Sequence, residues 1–532
     1  MRAARLALVA ALGLAPAGLA APPPPSVATI VIRGGTIYDG TDPRPRSGDV
    51  VIAGDRIVAV GARPRAYPGA RMIDASGMIV APGFIDPHTH ADALLTSKDA
   101  RERLVQPWLA QGVTTIFTGN DGYGQQKGDP ATLFARTTAN PVGPNVATFV
   151  GFGAVREQVI GETDRAPTEA ELTTMRALVA SGMCQGALGL STGLYYAPQS
   201  FAKTEEVIAL AKEAGRRGGV YDTHQRDESS YSIGLLNSMR EVLRIGREGA
   251  LPVHIAHIKA SGPTVHGKAG AMIALVEAAR RSGQQVTADQ YPYEASGTSL
   301  VASLVPRWAQ DGGMPALLGR LADPAVRPRI AAEMTDGLAR RGGAENQLLT
   351  LPGQPWTGKR LSEVAAEWKL APTEAAIRII TTTKSGAPTL SFNMIEPDIA
   401  LLMRQPWVMT GSDGSAAHPR MYGTFALKYA RYVVERKTVS LADFINASTA
   451  RTARFFKLDR RGELKPGYFA DVVVFDPARY RARSTYLAPT LLAEGVRTLL
   501  VNGTLAIADG RFTGAAAGRP LRHVPPAGTC PS

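Results

Sequence analysis

The sequence predicts an α/β protein: a TIM-type (β/α)8 barrel joined to a small β-sandwich built from the N- and C-terminal segments. Three observations carry this expectation. Apolar stretches alternate with amphipathic helical text through the middle of the chain, as strands of a parallel sheet alternate with crossover helices. Eight of these stretches end at His88, Asp121, Gly151, Ser191, His224, His257, Tyr291 and Asp413, the number a barrel needs. Short alternating strands closed by Gly turns flank this region on both sides.

In chain order, residues 1–21 read as a secretory signal peptide. Arg2 and Arg5 give a positive start, Leu6 to Leu14 an apolar core, and Ala17 to Ala21 a small-residue cleavage zone. The apolar core is too short to span a bilayer, and Pro22 to Pro25 would break a buried helix. No Cys follows the cleavage zone, so the expectation is a periplasmic or secreted protein without a lipid anchor. Residues 28–80 then hold strand text: Thr29 to Arg33 stops at Gly34-Gly35, Asp49 to Ile52 at Gly54-Asp55, and Ile57 to Val60 at Gly61. The same texture returns within 455–515, in Ala470 to Phe475 and in Val496 to Val501 before Asn502-Gly503. These two segments are expected to pair into one sandwich outside the barrel.

The barrel occupies 81–454. Helices are expected over 169–181, 204–217 and 269–281; in the second, Glu205-Glu206 at the start and Arg216-Arg217 at the end suit the helix dipole. From about 294 to 405 the spacing exceeds any ordinary loop, so an insertion with helices of its own is expected, placed to cover the site as a lid. The tail, 516–532, is rich in Ala, Gly and Pro and is expected to be loosely held.

Composition removes several function classes. Hydrophobic residues make up 45% and charged residues 20% of 532, the balance of an ordinary globular protein. The formal charge of +13, from Lys+Arg 59 against Asp+Glu 46, is scattered, with no basic run interleaved with aromatics. A nucleic-acid interface has no support, and an acidic small substrate fits the balance equally well. The two cysteines, Cys184 and Cys530, form no metal motif, and their spacing leaves pairing open.

The strongest local signal is Pro82-Gly83-Phe84-Ile85-Asp86-Pro87-His88-Thr89-His90. Side chains two apart on a strand share a face, so His88 and His90 would both aim into the barrel mouth, and imidazole is a good ligand for a divalent metal such as zinc. The chain has 8 histidines, and His224 and His257 also fall at strand ends, where barrel active sites are built. Asp413 ends the apolar run from Trp407 to Thr410 in the same way. Four histidines and an aspartate on one mouth read as a metal hydrolase. His254, three residues before His257, is expected to face away as a structural residue; His266 and His523 lie in loop or tail text, and His418 is a candidate supporting residue.

The N-terminal β-segment, the HxH stretch, single histidines after later strands and Gly411-Ser412-Asp413-Gly414 together resemble the amidohydrolase superfamily. Within it the chain is similar to the N-acyl-D-amino-acid deacylases (D-aminoacylases), through Gln111 to Thr115, Gly189 to Leu194, Thr223 to Glu228, His257-Ile258-Lys259, Asp289 to Tyr293 and His418-Pro419-Arg420. The resemblance runs from about Ile30 to Gly510. It implies one or two divalent metals, zinc foremost, with His224 and His257 holding the tighter ion and His88 and His90 lining a neighbouring position. It implies Asp413 as metal-site residue and general base and acid. Lys259, Arg420 and Tyr291 or Tyr293 would grip the α-carboxylate of the substrate, and Ser191 and Tyr195 would shape the acyl pocket.

Two departures from that pattern matter. Such deacylases carry Cys as a metal ligand after the second strand, where this chain reads Gly119-Asn120-Asp121-Gly122, so Asp121 takes the place of Cys. A carboxylate is harder than a thiolate and tilts preference towards harder metals or a two-metal site. After the third strand Phe152 stands where a His is expected, and the lysine that bridges metals in other amidohydrolases is missing from Leu188 to Ser191. The leading expectation is hydrolysis of an N-acyl-D-amino acid to a carboxylate and a D-amino acid. The runner-up is a dipeptidase for peptides with a C-terminal D-residue. From another class, a non-catalytic barrel that only binds a partner would be expected to lose metal ligands, which this chain retains.

Overall fold

The computed structural model describes residues 28–62, 66–123 and 129–531; the expected signal peptide lies outside them. At the centre are short parallel strands of apolar residues. One hydrogen-bonded run joins Phe84–Asp86, Val113–Thr118 and Asn145–Thr148 in that order. A second joins Val150–Gly151, Gly189–Gly193, Val220–His224, Val253–Ile255, Val286–Gln290 and Val408–Thr410. Eight strand positions thus follow one another, Val150 continuing the strand begun at Asn145. At the far ends of the two runs, the Asp413 N–H donates to the His88 carbonyl (2.9 Å) and the His90 N–H to that of Gly414 (2.9 Å). Ile85, Phe117, Ala147, Val220 and Met409, drawn from the first strand to the last, meet Phe456 in one apolar cluster. This is an α/β, TIM-type fold.

Helices cover the outside of these strands. Glu169–Cys184, Thr204–Arg216 and Ala269–Arg281 match the expected spans to within a few residues. The first opens with a capping box, Thr168 accepting from the Glu171 N–H and Glu171 accepting from that of Thr168.

The N- and C-terminal segments hydrogen-bond into a single nine-stranded sheet. The two segments, expected to pair with each other, do so: Ile79–Pro82 pairs directly with Val472–Phe475, stitching them into one sheet. Strand periodicity explains how that layer packs. Val472 and Val474 turn to one face, with Ile32, Val50 and Ile52. Val473 and Phe475 turn to the other, against Phe84, Phe425 and Phe444 of the barrel region. The sheet curls so that Arg56 bridges to Phe469.

The insertion holds more than the expected helices. Ala295–Ser299, Gln347–Leu349 and Pro388–Phe392 make a three-stranded antiparallel sheet, and helices such as Arg327–Arg340 and Pro372–Thr383 pack round a core of their own that includes Ile330, Met334, Trp356 and Ile377. The tail is also a correction. Its backbone lies beside the third strand, Val146 donating to Arg519 (3.0 Å) and Leu521 to Val146 (2.7 Å), and Cys530 is disulfide-bonded to Cys184. Among the described residues no helix is long and apolar enough to cross a membrane.

Lys428 is buried against the outer wall of the last strand, where its Nζ donates to Thr410 Oγ1 (2.9 Å). Burial, with Arg451 nearby, pushes its pKa down from 10.5 to about 7. Between those values the unfolded chain holds a proton that the folded chain lacks, so this group makes stability rise with pH; below about 7 the fold must bury an ammonium ion. Lys428→Met is therefore expected to stabilise the protein more at pH 6 than at pH 9 in denaturant titrations, and an equal gain at both would contradict the buried ammonium. The disulfide closes a loop of 346 residues, and Cys184→Ser is expected to lower stability by about 2–4 kcal/mol. Calorimetry under non-reducing conditions checks this; an unchanged melting temperature would mean the bond contributes nothing.

Candidate metal centre and active site

The polar side chains of the mouth are set by backbone turns just beyond the strand ends. Asp121 follows the second strand in a tight turn with φ 57°, His257 has φ 35° and Asp413 φ 48°. All three are buried. Left-handed backbone outside glycine costs about 1–3 kcal/mol per residue and gathers at functional sites. His88 lies two residues past its strand and is steered by Asp86, whose carboxylate accepts the His88 N–H (3.3 Å), the Ser412 N–H (2.9 Å) and the Trp108 indole N–H (2.8 Å). Burial pushes the Asp86 pKa up to about 7 against these donors. Asp289 supports the other side, accepting from His254 Nε2 (2.9 Å) and the His257 N–H (3.1 Å). Gly411 makes room for it, since a Cβ there would fall 2.4 Å from Asp289 Oδ1.

At the centre is Asp121. Its Oδ1 lies 3.4 Å from His88 Nε2 and 3.6 Å from His257 Nε2, and its Oδ2 lies 3.6 Å from His90 Nε2 and 3.7 Å from His224 Nδ1. Asp413 adds a second carboxylate, with Oδ1 3.1 Å from His90 Nε2 and 3.6 Å from His88 Nε2. Two sets of side chains can each close round one ion: His88, Asp121, His257 and Asp413, and His224, Glu228 and His257, with ligand atoms within 4.8 Å of one another.

A divalent metal fits these residues. Both nitrogens of His88, Asp121 Oδ1 and His224 Nδ1 are buried without a hydrogen-bond partner, which a folded protein tolerates poorly unless something else satisfies them. The donors are nitrogen and oxygen, the set zinc takes from His and Asp. The charges agree. Burial alone would lower the pKa of His88, but the Asp121, Asp289 and Asp413 carboxylates outweigh it and push it up to about 10. Burial alone would raise Asp121, yet His88, His224 and His257 hold it well below the usual carboxylate range. A cluster with so many anions facing one point stabilises positive charge there.

Around the centre, barrel and insertion together line a pocket with Tyr195, Tyr196, Tyr231, Tyr291, Arg341 and Arg420, and with Ser296 to Thr298 lying across it. Arg420 Nη1 is 2.7 Å from Asp413 Oδ2, and His418 fixes its backbone by accepting the Arg420 N–H (3.0 Å). Tyr291 lines the pocket with its hydroxyl unpartnered, whereas Tyr293 turns away and donates to the Pro419 carbonyl (3.3 Å). Lys259 is at the pocket but is not free: its Nζ pairs with Glu228 Oε1 (2.7 Å) and lies 2.5 Å from His257 Nδ1. Ser191 is a correction. It is fully buried, donates to Asp222 (2.7 Å) and accepts the Gly122 N–H, so it braces the loop that carries Asp121 instead of shaping the pocket. Phe152 likewise belongs to the core. His266 and His523 bond backbone carbonyls away from the mouth.

Sequence reasoning missed Glu228, Asp289, Tyr196 and Arg341. Glu228 and Asp289 stood inside quoted stretches, and their polar side chains in apolar surroundings were the available signal. His254, expected to be structural, in fact holds Asp289 in place.

The description "Amidohydrolase family" belongs to a family model that matches residues 71–507. The chain is 34% identical over 517 residues to a D-aminoacylase of Alcaligenes xylosoxydans xylosoxydans, covering 92% of this chain and 97% of that one. It is 33% identical over 517 residues to an N-acyl-D-aspartate deacylase of the same organism, with 92% and 94% covered. Among solved structures, an N-acyl-D-glutamate deacylase from Bordetella bronchiseptica, complexed with zinc and a phosphonate inhibitor that mimics the tetrahedral intermediate, superposes with TM-score 0.79 at 31% identity, covering 93% of this chain and 99% of that one.

Removing the central carboxylate tests the centre. Asp121→Ala is expected to weaken zinc binding at least about tenfold, since losing even a supporting partner of a ligand costs 10–100-fold. Competition with a chelating dye, with circular dichroism to confirm folding, checks it; wild-type affinity in the variant would exclude Asp121 from the centre.

Proposed function

The chain belongs to the amidohydrolase family, among the N-acyl-D-amino-acid deacylases, and from that premise we propose that it hydrolyses an N-acyl-D-amino acid to a carboxylate and a free D-amino acid. One observation carries the reading: the Asp413 carboxylate touches the histidines with one oxygen and Arg420 with the other. An amide nitrogen that leaves beside a carboxylate-bearing carbon needs these two functions next to each other.

His88, His90, Asp121, His224, His257 and Asp413 would hold one or two zinc ions, with Glu228 close enough to join. Bound zinc supplies Lewis acidity, lowering the pKa of water and polarising the scissile carbonyl. The side chains do the rest. Asp413 accepts a proton from the attacking water as the new carbon–oxygen bond forms, then delivers it to the nitrogen as the carbon–nitrogen bond breaks. Arg420, whose planar fork matches a carboxylate, and the Tyr291 hydroxyl hold the α-carboxylate, which fixes the leaving nitrogen over Asp413. Lys259, paired to Glu228, orients His257 and adds positive charge to that wall. Ser296 to Thr298 of the insertion close over the pocket and limit water.

Two further parts belong to the proposal. A barrel spanning 81–454 that closes between its first and last strands is supported by the hydrogen bonds of His88 and His90 to residues 413 and 414. Export to the periplasm or beyond is supported by the signal-like text from Arg2 to Ala21 and by the Cys184–Cys530 bond, which suits an oxidising compartment.

Zinc-reconstituted protein is expected to hydrolyse N-acetyl-D-amino acids and leave the L-forms largely uncut. A preference for dipeptides ending in a D-residue would move the reading to a dipeptidase, and silence on every amide would favour a binding protein. Asp413→Asn is expected to lower kcat by about 10²–10⁴-fold; an undiminished rate would remove Asp413 from proton transfer.

A further inference from the structure

Four arginines are buried among the described residues: Arg156, Arg341, Arg420 and Arg461. Three face carboxylates, namely Glu206, Asp413 and Asp471. Arg341 faces none. It ends the helix Arg327–Arg340 of the insertion, is 3% exposed, and reaches the pocket over the metal centre. Its Nε donates to the Ser303 carbonyl (3.2 Å), its Nη1 to Ser391 Oγ (3.4 Å) and its Nη2 to the Tyr195 hydroxyl (2.5 Å). A guanidinium has five N–H groups, so two are left over. Its guanidinium carbon also lies 4.6 Å from the Tyr231 ring centroid.

Holding Tyr195 does not explain this residue. Tyr195 already donates to the Ala302 carbonyl (2.6 Å), and a neutral donor such as Gln could meet its oxygen without burying a charge. An unpaired buried charge is costly and persists where a partner arrives to meet it. Arg307 lies on the far side of the same tyrosine, with its guanidinium carbon 4.2 Å from the Tyr195 ring centroid and its Nη2 donating to the Ala302 carbonyl (3.0 Å).

Position then says what the partner is. Tyr195 stacks on His224, ring centroids 5.4 Å apart, so Arg341 stands one tyrosine ring beyond that metal-site histidine. Arg420 stands on the Asp413 side, against Tyr291. The pocket is gripped by an arginine at each of two sites, and the reading above uses only Arg420, for the α-carboxylate. We propose that Arg341 binds a second anionic group of the substrate, so that the enzyme acts on N-acyl-D-amino acids carrying a further carboxylate. This rests on the deacylase reading and narrows it. The second carboxylate can come from the D-side chain, as in an acidic amino acid, or from the acyl group, as in a dicarboxylic acyl; the guanidinium recognises the same chemistry in both.

Three substrates and two variants decide it, using the zinc-loaded full chain. N-acetyl-D-leucine carries one carboxylate, N-acetyl-D-glutamate a second on the side chain, and N-succinyl-D-leucine a second on the acyl group. Wild-type kcat/KM is expected to be at least about tenfold higher for one of the two dianions than for N-acetyl-D-leucine, and whichever it is identifies the source. Arg341→Gln is expected to bring that ratio down by about tenfold or more, chiefly through KM, and Arg341→Lys to restore part of it by keeping the charge. Equal or better turnover of N-acetyl-D-leucine by the wild type would overturn the proposal, and so would an unchanged ratio in Arg341→Gln. Should Arg341→Gln fail to fold, the wild-type ratio and its fall in Arg341→Lys decide alone. Turnover of none of the three would defeat the deacylase reading itself; calorimetric binding of glutarate to wild type and to Arg341→Lys then judges Arg341 separately, equal affinities counting against it.

Discussion

The architecture of this protein turns on one buried carboxylate. Asp121 sits in left-handed backbone with its two oxygens shared among four histidines from three different strand ends. Such a group is stable only where positive charge balances it. Every neighbouring feature serves that balance. Asp86 and Asp289 fix the backbones of His88 and His257, Ser191 braces the loop beneath Asp121, and Asp413 completes the anionic side. A cation at the centre satisfies at once the orphaned nitrogens of His88 and His224 and the excess of carboxylates.

The same constraint explains the division of labour between barrel and insertion. The parallel strands supply the metal-binding side chains, which stand at or just beyond the ends of five of them. The insertion has its own core and can change without disturbing that point. It brings Ser296 to Thr298 and Arg341 over the mouth. The metal-binding side chains thus come from the strands, and part of the pocket wall above them from the insertion.

Much of the site was legible because its residues obey simple spacing. His88 and His90 stand two apart beyond a strand, and His224, His257 and Asp413 each close an apolar run, so convergence followed from barrel topology. What escaped was set by partners distant in sequence. Arg341 meets Tyr195 146 residues away, and nothing local distinguishes it from the half-buried Arg340 beside it. Ser191 read as pocket lining because its strand end was placed correctly, but its side chain turns to Asp222 on the next strand. The terminal segments were recognised as strands that pair with each other, while which strands meet depends on Val472 facing Pro82 across the chain. The tail misled through composition: Ala, Gly and Pro give no side-chain signal, and its order comes from backbone bonds to Val146 and from one disulfide.

The most direct measurement is zinc K-edge X-ray absorption on the zinc-loaded protein. Both cysteines are spent in the disulfide, so the centre built round Asp121 predicts a shell of nitrogen and oxygen alone at about 2.0–2.2 Å, with the outer scattering of imidazole rings. A sulfur shell near 2.3 Å, or zinc lacking imidazole, would show that the metal sits elsewhere and that Asp121 is not its anchor.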